Sequence, residues 1–117
     1  MNLQRRAWGL VSLSTLLLGG CAGPLLATDT DRPPIVFVHG NGDSAALWQA
    51  TVWRFESNGW PSERLHAIDV PYPLARDADN KDQAGRTSTA EHMAFLRAEV
   101  QAVLSRTGAK QVVLVGN

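Results

Sequence analysis

An α/β fold built on a parallel sheet is what this sequence predicts, and three observations predict it. Short β-branched and aliphatic runs recur at Ile35–Val38 (IVFV), Leu65–Val70 (LHAIDV) and Val112–Val115 (VVLV). Between them lie stretches whose apolar residues repeat at helical spacing, which sets the order strand, helix, strand, helix, strand. Glycine-bearing turns follow the first and third runs, where open α/β sheets place their ligand clefts. Right-handed crossovers between parallel strands then put helices on both faces of the sheet.

The first run is apolar without alternation, as expected of a strand buried on both faces, and His39-Gly40-Asn41-Gly42 ends it. From Ser44 to about Ser57, Leu47, Trp48, Val52 and Phe55 fall on one helical face, with Asp43 or Ser44 as N-cap and Gly59 past the end. Trp60-Pro61 forces an extended turn, and Pro71 and Pro73 stop the second strand. Tyr72 to Arg86 is a long polar loop carrying Asp77, Asp79 and Asp82. Ser88-Thr89-Ala90-Glu91 matches a capping box. It opens a helix with Phe95, Leu96, Val100, Val103 and Leu104 at helical spacing, running to Arg106 before Gly108. Lys110 opens the last strand, whose aliphatic run is that of a buried strand delivering the chain into the Gly116-Asn117 turn.

Composition narrows the classes of function. The 117 residues are 44% hydrophobic and 19% charged, within the range of one ordinary domain. Eleven Lys and Arg balance eleven Asp and Glu, so no net field favours nucleic acid or an anionic surface. The acidic loop fails as an EF-hand, because Lys81 stands where an oxygen ligand is needed and Asp82 where glycine is needed. The single cysteine, Cys21, has no partner for a disulfide or a zinc site, so no metal is expected.

Residues 1–20 read as a signal peptide. Arg5 and Arg6 form a basic start, Ala7 to Leu18 is apolar but too short for a stable span, and small residues follow. Leu18-Gly19-Gly20-Cys21 resembles the lipobox of bacterial lipoproteins, which implies acylation at Cys21 and a membrane anchor on the exported side. Cleavage near Ala27 without a lipid is the other reading. Residues 21–34 are the lipidated cysteine and a linker of small, polar and proline residues, and 35–117 are the folded domain.

An apolar strand running into His-Gly-x-Gly resembles the α/β-hydrolase family, in particular its bacterial lipases and esterases, over Pro34 to Asn117. The resemblance implies a partial α/β-hydrolase fold, a small-molecule or lipid ester as substrate, and no cofactor. It also implies that the backbone amide of Asn41 is one oxyanion donor, while His39, Gly40 and Gly42 hold the loop. The family's elbow, Gly-x-Ser-x-Gly, then falls with Gly116 as first glycine and Asn117 as variable residue, so the serine would be the next residue and the other triad members later still. The chain as given is therefore expected to be inactive.

Other readings use the same residues. Gly40-Asn41-Gly42-Asp43-Ser44-Ala45 fits the dinucleotide fingerprint, although His39 intervenes after the strand and Asp69 lies further on than the expected ribose-binding acid. No Gly-Lys-Ser or Gly-Lys-Thr supports a phosphate loop. Ser88 and His92, four apart on a helix, could touch but have no carboxylate placed to orient the imidazole, and His66 has no partner at informative spacing. Trp48, Trp53 and Trp60 read as packing residues. A non-catalytic lipoprotein that pairs with a partner through its open sheet edge is the remaining alternative.

Overall fold

The computed structural model describes residues 32–117. The signal segment, Cys21 and the linker as far as residue 31 lie outside the described residues. Three strands, β1 (Ile35–Val38), β2 (Leu65–Ile68) and β3 (Val113–Gly116), pair in parallel in the order β2-β1-β3. Ile35 is in register with Leu65 and Val113, and Val38 with Ile68 and Gly116.

The α/β class and the order of elements are as predicted. Helix α1 (Gln49–Ser57) covers one face of the sheet and α2 (Thr89–Thr107) the other. Under α1, Ile35, Phe37 and Leu65 are buried against Trp48, Val52, Phe55 and Trp60, with the Phe37 ring 5.4 Å from that of Trp48 and 5.9 Å from that of Phe55. Under α2, Val36, Ile68 and Val103 are buried against Phe95 and Leu96. Alternate residues of β1 thus feed two cores, which is why the strand shows no polar position.

Several boundaries differ from expectation for identifiable reasons. The helix read from Ser44 begins as a 3₁₀ turn, Ala45–Trp48, before α1. At three residues per turn that segment advances faster around the axis than an α-helix, so Leu47 is left 43% exposed while Trp48, Val52 and Phe55 pack inward. Neither proposed N-cap side chain caps it. Asp43 Oδ1 accepts from Ser44 N–H at 2.9 Å, and the Asp69 carboxylate accepts from Ala45 N–H at 2.6 Å. β2 ends at Ile68 rather than Val70, where its partner β1 ends at Val38 and the Val70 N–H turns to the His39 ring.

β3 starts at Val113 and lies at the sheet edge, so Val113 and Leu114 are exposed despite the apolar run. Only β1 flanks it among the described residues. Upstream, Pro34 is fully buried and its carbonyl accepts from Val113 N–H at 2.8 Å.

The capping box forms as predicted. Glu91 N–H donates to Ser88 Oγ at 3.2 Å, and Ser88 N–H donates to Glu91 Oε2 at 2.8 Å. Gly108 ends α2 at φ 65°, a conformation that glycine adopts without strain. The acidic loop is pinned by its own side chains. Asp77 takes Gln83 and Arg86, Asp79 accepts from Thr89 N–H at 2.6 Å, and Asp82 pairs with Arg76. Among the described residues, no helix is long and apolar enough to cross a membrane.

Candidate active site

The chain steps from β1 to β2 on one side, then back across β1 to β3 on the other, so the connections reverse direction at the central strand. Clefts in open α/β sheets lie at such reversals, beyond the carboxyl ends of the strands. The two glycine turns meet there. Asn117 N–H donates to Val38 O at 3.3 Å, and a Cβ on Gly40 would stand 3.2 Å from the Asn117 carbonyl oxygen. Glycine at position 40 is what permits this approach.

A cleft of about 270 Å³ opens at this junction. His39, Gly40, Asn41, Gly116 and Asn117 line it, together with Ser88 and His92 from the start of α2. Five of the residues predicted from sequence are therefore brought together. Gly42 does not line the cleft; its φ of 77° turns the chain, and its N–H donates to Pro73 O at 3.0 Å.

His39 is 3% exposed and bonded to backbone on both ring nitrogens. Val70 N–H donates to Nε2 at 3.1 Å, so that nitrogen carries the lone pair. Nδ1 therefore carries the proton and donates to Gly40 O at 2.9 Å. The ring braces the turn at Gly40 against the segment after β2. Asp69 Oδ1 lies 4.0 Å from Nε2, too far for a hydrogen bond.

Asn41 is held by its side chain. Oδ1 accepts from Ala75 N–H at 2.7 Å. Asp43 N–H turns back to Gly40 O at 3.3 Å, and Gly42 N–H is taken by Pro73. Among the described residues, nothing accepts from Asn41 N–H. A free amide on a braced loop beside a cleft can donate to a developing oxyanion without reorganising, an effect worth roughly 10²–10³ in rate per donor.

The fingerprint glycines sit differently from a dinucleotide loop. The Ala45 amide at the first turn, which a pyrophosphate would use, already donates to Asp69. Ser88 Oγ contacts Glu91 Oε2 at 2.9 Å, so the serine is engaged in capping and has no side-chain bond to His92 among the described residues. His92 Nε2 is buried with no partner among the described residues. His66 lies in a separate hollow with Glu99 and Arg106, its pKa lowered by burial first and by Arg106 second, against a smaller opposing pull from Glu99. Trp48 and Trp60 pack in the core, whereas Trp53 is 60% exposed.

Sequence reasoning missed the braces. Val70, Pro73 and Ala75 act through main-chain atoms, which carry no residue-specific signal. Among the described residues, no group of three or more His, Cys, Asp or Glu could hold a metal ion. Comparison with known families matches residues 32–117 to the family described as Lipase (class 2). No curated protein matches the chain.

Proposed function

We propose, because this chain belongs to the class 2 lipase family, that it supplies the oxyanion half of an exported serine hydrolase that cleaves carboxylic esters such as lipids. One observation carries the reading. The Asn41 amide, without an acceptor among the described residues, shares a cleft with Gly116 and Asn117 at the carboxyl ends of adjacent strands.

In the mechanism proposed, a serine following Asn117 attacks the ester carbonyl carbon. The carbonyl oxygen becomes an oxyanion and accepts from Asn41 N–H and from the amide after the serine. A histidine later in the chain takes the serine proton and returns it to the leaving alcohol as the adduct collapses to an acyl-serine, while an acid orients that imidazole. Water, deprotonated by the same histidine, then attacks the acyl carbon, releasing the carboxylic acid and regenerating the serine. His39, bonded through both nitrogens, is a brace for the loop and not this base.

Export and anchoring belong to the same proposal: residues 1–20 act as the signal and Cys21 carries the lipid. Metabolic labelling with a fatty acid should mark the wild-type chain and not Cys21→Ser. Labelling that persists in Cys21→Ser would remove the anchor.

The activity is tested on the full-length protein with a chromogenic ester and a serine-directed phosphonate. Turnover should be abolished by the phosphonate, and mass spectrometry should find the adduct on the residue after Asn117. Turnover insensitive to the phosphonate, or an adduct elsewhere, would overturn the assignment.

A further inference from the structure

A second hollow, of about 510 Å³, lies at the other end of the sheet from the cleft. Among the described residues, Arg32, Arg54, Phe55, Asn58 and Trp60 line it, and no carboxylate does. The Arg32 guanidinium lies over the Trp60 ring at 5.4 Å and bonds the Gly59 carbonyl, so it is held in place. Trp60 packs edge-on against Phe55 at 5.4 Å, and its indole N–H is buried with no partner among the described residues. Arg54 forms no ion pair among the described residues. Next to it, Trp53 is 60% exposed.

Two guanidiniums and an apolar aromatic wall match a phosphate joined to acyl chains. Arginine suits phosphate oxygens, and tryptophan favours the bilayer interface. We propose that this hollow binds the phosphate of an anionic phospholipid headgroup and docks the amino end of the sheet on the membrane.

The docking sets the direction of the cleft. Arg32 precedes the first residue of β1 by three positions, whereas the cleft begins past Val38 at its last. Four strand residues separate the two ends by roughly 13 Å. With the hollow on the bilayer, the cleft opens away from the leaflet that holds the protein. Cys21 precedes Arg32 by eleven positions, a reach of up to roughly 36–40 Å. A tether of that length leaves orientation free, so the hollow decides it. This consequence for orientation rests on the anchor proposed above.

Hydrogen exchange on the full chain, mixed with vesicles of phosphatidylcholine alone or with added phosphatidylglycerol, tests the site. Amides of Asn58, Gly59 and Trp60 should exchange about fivefold more slowly with phosphatidylglycerol, as for a site about four-fifths occupied. Arg54→Glu and Arg54→Gln should both lose this difference while keeping the wild-type circular dichroism. Equal exchange in the two vesicle types would overturn the proposal, as would protection moving to Asn41–Asp43 and Tyr72–Arg76, which would mean that the cleft faces the membrane. The same protection from inorganic phosphate alone would also overturn it, in favour of a soluble anion site. Flotation with neutral vesicles reports the anchor separately, so its absence counts against the anchor and not against the headgroup site.

Discussion

Two side chains at the cleft, His39 and Asn41, work mainly by holding main chain. His39 gives Val70 N–H its acceptor at 3.1 Å in a buried setting. Removing it as His39→Ala should leave that amide unsatisfied and cost about 1–3 kcal/mol, measured by urea denaturation. Gly40→Ala should cost a similar roughly 1–3 kcal/mol, because a Cβ 3.2 Å from Asn117 O forces two turns apart. Asn41→Ala retains the backbone amide but loses the bond to Ala75 N–H. In the serine hydrolase proposed above kcat should fall about tenfold with KM unchanged, since only transition-state alignment is affected. An unchanged kcat would show that the loop holds its shape without that side chain. The His-Gly-x-Gly spacing pointed to these positions. The carbonyls and amides they bind could not be named in advance, because any residue type supplies them.

At the level of elements, the capping box was legible because its geometry is local: Ser88 and Glu91 need only one helical turn to meet. The Ser88 backbone N–H, then the Ser88 hydroxyl, hold the Glu91 carboxyl below its ordinary pKa of 4.5, with further help from Arg76. A lowered carboxylate contributes stability that is complete above 4.5 and is lost as pH falls through the lower folded value. His66, also lowered from its ordinary 6.5, favours its neutral form in the fold, so acid begins to cost stability as pH drops below 6.5. Melting temperature against pH should therefore decline in two stages. Glu91→Gln should remove the lower stage, and a neutral replacement such as His66→Gln the upper one. Ser88→Ala should cost about 0.5–2 kcal/mol at neutral pH. The first helix was less legible. Its 3₁₀ start depends on Asp69, which reaches the Ala45 amide from a segment 24 positions away.

For the molecule as a whole, three strands and two helices bury one apolar cluster on each face of the sheet. Phe37 is fully buried between strand and helix, so Phe37→Ala should cost about 3–5 kcal/mol and largely unfold the domain. β3 exposes Val113 at 42% and Leu114 at 59%, leaving apolar surface along the edge of the sheet. The 117-residue chain should accordingly show a broad calorimetric transition and bind a hydrophobic dye. A sharp two-state transition without dye binding would contradict this. It should also show no serine-dependent ester turnover, since the proposed nucleophile lies outside it. Turnover by this chain that a serine-directed phosphonate abolishes would place the nucleophile within residues 1–117.

The sequence by itself determined the class of fold, the order of its elements, the cap on α2 and the glycine turns that frame the cleft. Each of these follows from spacing within a few residues or from an apolar run that must leave water. Tertiary structure decided what those patterns could not. It set the order β2-β1-β3, the exposure of β3, the early end of β2 and the bracing of His39 and Asn41 by Val70 and Ala75. These depend on backbone groups distant in sequence, whose positions exist only once the strands have paired.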